Sequence, residues 1–541
     1  MYSGAYAFAH AFADQCRRWA NAEGKDAAWQ AGYRLALAEQ EGKTSIRLTE
    51  PEAKVLSLSD LLANNDGKPF VLDQSGNLYL TRYFVAEKEF AASLAAKNRV
   101  SPTPSPGTAL AMLERLFPDA EHHAQRKAIT LALDRQLVIL SGGPGTGKTY
   151  TIARLLACLL AETPDLRVAL AAPTGKAAAR MQESLMRAAT ELPPEILLPT
   201  ETFTLHRLLG ISADGLPPRH HSGNPIPFDL VIVDEVSMLD IILAEQLSAV
   251  IPDSARLILI GDKAQLPAVE AGNVFAALTE TEALRDAVIQ LEQNYRFSPD
   301  SPLGSLIAAL ASGDDEAAQA AASGDDLYWL NETGSALSAQ ALQSLADGFA
   351  VWRSAFAAWR PGDSPLPLFD ALNEFRVLAV LREGERGALA INSHLNRFFI
   401  SRNNAFRHNA ENFYPGQAVM ITRNDHDTRL YNGDTGILLP QPDAKRGSSR
   451  LKACFPDRGG WRYLDIARLP EFESAFALTA HKAQGSEFGS VALVLPGHDT
   501  PILTRELIYT AITRAKNRAM ILGDPELFTT ALGRSARARL A

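Results

Sequence analysis

Cysteine is scarce in this chain. Its three, Cys16, Cys158 and Cys454, lie far apart and form no CxxC pair, so neither a zinc site nor a disulfide framework is expected, and a reducing cytoplasm fits. No apolar run reaches the ~18–20 residues that span a bilayer. The first ten residues lack the basic segment and clean apolar stretch of a secretory signal. No repeat of fixed period is present, which argues against a solenoid. Cations do not predominate either, the formal charge being −9. That excludes a surface coated in basic residues but not a local basic and polar track, on which net charge is silent.

What is present is a globular balance, 46% hydrophobic and 21% charged residues. At 541 residues the chain is too long for one core, and domains of ~100–200 residues suggest roughly three to four units. Residues 1–105 read as a mostly helical first domain closing in a hairpin, 68–73 and 77–84 around the turn 74–77. Alternating prolines over 100–107 read as an extended linker. Residues 106–345 then read as an α/β domain. Its buried parallel strands are expected at 136–140, 167–172, 229–233, 256–260 and 287–291, all continuous apolar runs. A less regular stretch follows at 310–370, whose alanine- and aspartate-rich part near 311–326 and proline-rich part at 360–367 read as surface connections. A second α/β domain, 346–541, has expected strands at 375–381, 475–479, 490–495 and 518–522. Inside it, residues 413–472 read as a small all-β insertion, marked by the turn at Asn432, Gly433 and Asp434.

The strongest chemical signal is a strand running into Gly142, Gly143, Pro144, Gly145, Thr146, Gly147, Lys148 and Thr149. Glycines let successive N–H groups wrap a phosphate chain, and a helix at 150–160 adds its N-terminal dipole. Lys148 places a cation on the β and γ phosphates, and Thr149 offers a hydroxyl to Mg²⁺. A second apolar run ends in Asp234 and Glu235. Asp234 is expected to hold Mg²⁺ and Glu235 to polarise the attacking water; an acidic helix cap is the plainer alternative. Asp262 and Gln265 follow another strand, where they can sense the γ-phosphate.

Arg296 and Arg514 are candidates for stabilising transition-state charge, a role that links hydrolysis to domain closure. Leu507, Ile508, Ala511, Ile512 and Ala515 form one apolar helical stripe, and Thr510, Thr513 and Arg514 share another face. Arg514 is therefore expected to leave the second domain's core.

Together these motifs resemble superfamily 1 helicases, and within them the RecD type. The resembling segments are Gln125 and the phosphate loop, then 172–180, 202–209, 234–238, 261–267, 294–296, 479–488 and 509–514, in the family's order. Two more, 378–384 with Asn392 and 423–425 with 431–436, are similar to the RecD subunit of RecBCD (exodeoxyribonuclease V) rather than to its longer stand-alone relatives. Val236 and Tyr150 depart from the usual pattern without touching chemistry.

The resemblance implies an ATP-dependent 5′→3′ DNA helicase of double-strand-break repair and recombination, cytoplasmic and associated with the nucleoid. It implies two RecA-like domains, with residues 413–472 as an SH3-like element. Gln125 is then expected to read adenine and Glu487 to sit near the ribose or phosphates. Thr174, Lys176, His206, Arg207, His481 and Gln484 are expected to line the DNA path. RecB and RecC are the implied partners, docked largely by the N-terminal domain.

Read from the residues alone, those six either contact phosphates or hydrogen-bond their own loops. Phe203 and Tyr295 either stack on bases or pack in the core. A helicase without RecBC partners is the alternative function, and a subunit that binds nucleotide without turnover is a third. No compact nuclease cluster is evident, so any DNA cutting is expected from a partner.

Overall fold

The computed structural model describes residues 2–62, 67–99, 107–118, 122–212, 216–268, 271–321, 324–402, 413–425, 427–443, 448–457 and 459–534. All but the last residue of the expected linker lies outside them. The chain divides into two compact units, Met1–Tyr295 and Arg296–Ser535.

The first unit is built on a six-stranded sheet. Its strand order is Thr202–Thr204, Val168–Ala172, Leu230–Val233, Arg256–Gly261, Leu137–Gly142 and Val288–Leu291. Every pairing is parallel. Four of these strands, from Leu137, Val168, Leu230 and Arg256, are almost wholly buried, as continuous apolar runs require when helices cover both faces. All parallel strands release their loops at one edge, the usual place for a ligand in an open α/β sheet.

The N-terminal segment contributes helices Tyr2–Trp19 and Lys25–Gln40 and a small sheet. Strands Phe70–Leu72 and Asn77–Leu80 pair antiparallel as the hairpin reading expects. Asp73 Oδ1 accepts the Asn77 N–H at 2.7 Å, and Gly76 takes a positive φ of 83° in the turn. The second strand ends earlier than expected, because helix Thr81–Arg99 begins directly after it.

This helix packs on Ile241–Val250 of the α/β part. Lys97 Nζ donates to the Pro252 and Ala255 carbonyls at 2.8 and 3.1 Å. One hydrophobic core runs from Phe70, Phe90 and Leu94 to Leu137, Val231 and Leu259. The described part of the N-terminal segment, up to Arg99, is therefore joined to the first α/β domain rather than set apart from it.

The second unit begins well before residue 346. Strand Leu327–Asn331 runs parallel to Ala515–Gly523 along its whole length. It forms the edge of a five-stranded sheet ordered Leu327–Asn331, Ala515–Gly523, Phe488–Val494, Phe375–Ala379 and Ala477–Thr479. The stretch 310–370 is more regular than the sequence reading expects: between its two expected surface connections lie helices Ala339–Gly348 and Ala350–Ala358, and helix Leu366–Asn373 follows. Trp352 and Phe349 pack with Phe375, Phe399 and Phe476 in an aromatic core.

The expected β insertion is a separate five-stranded antiparallel sheet, from Ala418–Ile421 to Phe472–Ser474. Val419, Ile421, Leu438 and Phe455 fill its own small core.

Candidate nucleotide and nucleic-acid site

In the first unit, strand Leu137–Gly142 gives way to the glycine loop and helix Lys148–Glu162. Gly145 and Gly147 have φ of 82° and 84°, a conformation only glycine adopts without strain. A Cβ on Gly142 would lie 2.5 Å from Thr146 Oγ1 and 3.0 Å from Leu291 Cβ, so no side chain fits there. Lys148 Nζ donates to the Gly142 and Gly143 carbonyls at 2.6 and 3.0 Å. The ammonium is thus held against the loop, where a phosphate chain would need it.

Asp234 and Glu235 follow the next-but-one strand, Leu230–Val233. The Glu235 N–H donates to Asp234 Oδ1 at 2.8 Å. Glu235 has a φ of 54°, a costly backbone state for a residue with a side chain and one that clusters at functional sites. Burial and the Glu235 charge push the Asp234 carboxyl up to about 6, while Lys148 pulls it down. A buried carboxyl that resists ionising beside a second acid is what a divalent cation relieves. The residues present therefore fit ATP with Mg²⁺, Thr149 and Asp234 being the ones that would hold the metal. Gln265 Nε2 donates to Asp262 Oδ2 at 3.3 Å after strand Arg256–Gly261. The first unit so brings Gln125, the loop, Asp234, Glu235 and Gln265 to one sheet edge.

Sequence reasoning missed an aromatic group beside the loop. Tyr295 joins the loop through its N–H, which donates to the Gly145 carbonyl at 2.9 Å. Its hydroxyl accepts from Gln125 Nε2 at 3.3 Å and lies 3.2 Å from His122 Nδ1. The ring edge is 3.9 Å from where a Gly147 Cβ would stand. Tyr295 is therefore neither a core residue, being 47% exposed, nor placed with the DNA candidates. It flanks the residue expected to read adenine. Tyr150 joins the group: the Arg154 guanidinium lies 3.2 Å from its ring centroid and His122 packs against it. The available signal was a tyrosine directly after Thr149 and another next to Arg296. Phe203 takes the packing alternative, against Phe228.

The first-unit DNA candidates also share an edge, since Val168–Ala172 and Thr202–Thr204 are paired neighbours. The Thr174 hydroxyl accepts from the Ala177 N–H at 3.2 Å, capping helix Gly175–Ala189. Lys176 lies in that helix's first turn. His206 and Arg207 are exposed, and Arg207 pairs with Glu201 at 2.8 Å.

In the second unit, His481 and Gln484 follow strand Ala477–Thr479. Burial depresses the His481 pKa below the ordinary histidine value. Arg296 and Glu487 form an ion pair at 2.7 Å. Arg514 corrects the helical-face expectation, because Thr510 and Thr513 are as buried as the apolar stripe. Arg514 is only 2% exposed, and its Nε donates to the Thr510 carbonyl at 3.0 Å.

Fold and phosphate loop together define a P-loop nucleoside triphosphatase. Residues 125–271 match the family model described as an AAA domain, and residues 474–522 that of the UvrD-like helicase C-terminal domain. The chain belongs to the RecD family: it is 37% identical to the RecBCD enzyme subunit RecD of Mycolicibacterium smegmatis, over 90% of this chain and 85% of that one. The RecBCD enzyme subunit RecD of Haemophilus influenzae is 31% identical, over 79% of this chain and 73% of that one. The ATP-dependent RecD2 DNA helicase of Deinococcus radiodurans is 32% identical, over 86% of this chain and 58% of that one. Among solved structures, Bacteroides Pif1 bound to ssDNA is 17% identical with a TM-score of 0.39, covering 74% of this chain and 92% of that one.

Proposed function

We infer that this protein is an ATP-dependent DNA helicase that moves 5′→3′ as the RecD-type subunit of a RecBCD helicase–nuclease, in the cytoplasm and at the nucleoid. Its work is the processing of DNA ends in double-strand-break repair and recombination. The observation that carries the reading is the single sheet edge gathering Gln125, Lys148, Asp234, Glu235 and Gln265, in a chain so similar to named RecD subunits.

Bound Mg²⁺ would supply positive charge to the β and γ phosphates. Lys148 neutralises the same oxygens, and the loop N–H groups hold the chain in line. Glu235 orients a water and accepts its proton as the water oxygen attacks the γ-phosphorus and the bond to the β,γ-bridging oxygen breaks, ADP leaving with that oxygen. Gln265, Arg296 and Arg514 are the residues that read the γ-phosphate, and Glu487 holds Arg296 ready. Tyr295 and Gln125 bind the base. Thr174, Lys176, His206, Arg207, His481 and Gln484 carry the strand through backbone contacts without sequence preference.

Unwinding of 5′-tailed against 3′-tailed duplexes tests the reading. The 5′-tailed substrate is expected to open, and Lys148→Gln to slow turnover by about 100-fold or more, as losing a transition-state charge partner does. Opening of the 3′-tailed substrate alone, indifferent to Lys148→Gln, would overturn it.

A further inference from the structure

Strands Phe375–Ala379 and Ala477–Thr479 are parallel neighbours, with Ala379 beside Thr479. Each releases a loop at the same edge, and each loop carries a cation three residues on, Arg382 and Lys482. Between the two stands one carboxylate from the antiparallel sheet, Glu473, in strand Phe472–Ser474. Lys482 Nζ donates to Glu473 Oε1 at 2.6 Å, and Arg382 Nη2 donates to Oε2 at 3.4 Å. The acid side chain is 13% exposed, against 27% for Lys482 and 39% for Arg382.

We propose that Arg382 and Lys482 form a seat for a backbone phosphate of single-stranded DNA, and that Glu473 fills it as a resident anion until the strand arrives. The proposal rests on the DNA-helicase reading above and adds a contact to it. Position is the first argument: Lys482 lies in the same short turn as His481, at the edge where a ligand of a parallel sheet sits. Asymmetry is the second. The carboxylate is sunk while both cations reach solvent, so the group that an incoming anion meets is positive.

The strength of the contacts is the third argument. The Arg382 contact is long and shared with exposed Glu383 at 3.3 Å, and pairs this open hold weakly. An ammonium has three donors and a guanidinium five, so each can turn to a phosphate without leaving the acid bare. The function follows from charge. Glu473 cuts the seat's net charge from two cations to one, which keeps each phosphate contact weak enough to release at every step of travel.

The test is binding of fluorescent oligo(dT) to the purified full chain, by anisotropy over a range of salt concentrations. Glu473→Gln is expected to tighten binding several-fold at low salt. It should also steepen the slope of log K against log [salt] by about 0.7, one further ionic contact on a single strand. Lys482→Gln and Arg382→Gln should each flatten the slope by about the same amount. Glu473→Asp keeps the charge and should restore the wild-type slope, which a merely structural role would not do. Wild-type binding whose slope ignores all three neutralising variants, or Glu473→Gln weakening the complex, would overturn the seat and leave the helicase reading standing. A wild-type chain that binds no oligo(dT) would overturn both.

Discussion

Asp234 shows how burial and a neighbouring charge together set the ionisation of one side chain. Its carboxyl is pushed up to about 6 from an ordinary 3.8, first by burial and then by Glu235. A folded-state pKa above the unfolded one means that the fold prefers the proton. The resulting stability is fully present below about pH 4 and is lost as pH rises through 6. Asp234→Asn imitates the protonated form. In protein free of nucleotide and metal, its melting temperature should equal wild type near pH 4 and exceed it by on the order of a few degrees above pH 7, while ATPase activity is lost. Calorimetry at both pH values decides; a difference flat in pH would remove the charge argument. The placing of the glycine loop, Lys148, Asp234 and Glu235 at strand ends was legible because loop and strand fix their spacing. Tyr295 was not, since an aromatic residue after a strand has no periodic signature that separates a base platform from core packing.

At the scale of elements, the buried strands of both sheets were legible, since a run shielded on both faces must be continuously apolar. The edge strand Leu327–Asn331 was not. Leu327 is buried while Tyr328 is 48% exposed, and the alanine- and aspartate-rich approach to it reads as surface. Its pairing with Ala515–Gly523 nevertheless moves the boundary of the second unit to Arg296. A fragment of residues 296–534 should therefore unfold in one cooperative urea transition. A fragment of 346–534, cut where sequence alone would cut, uncovers the flank of strand Ala515–Gly523, and a bare hydrophobic edge invites aggregation. Soluble expression and denaturation of both fragments check this. Equal behaviour would mean that the strand adds nothing to the unit.

At the scale of the whole molecule, the N-terminal segment is part of the P-loop unit's core, a long-range fact that no local pattern could carry. Deleting it to look for lost partners would strip helix Thr81–Arg99 from Ile241–Val250 and confound docking with unfolding. The first helix offers a cleaner experiment. Phe8 and Trp19 are 54% and 53% exposed, and with Phe12 they fall at i, i+4 and i+11, on one helical face. Phe8 stacks on Phe12 at 6.3 Å. Large aromatics left in water are poor surface residues but good anchors for a protein partner. The double substitution Phe8→Ser, Trp19→Ser should leave the melting temperature within about 2 °C, as exposed sites do, and leave ATPase turnover unchanged. Its affinity for the RecB and RecC subunits, measured by co-purification and titration, should fall by about tenfold or more. Full retention of affinity would place the docking surface elsewhere and remove this helix's support for a RecBCD-type assembly.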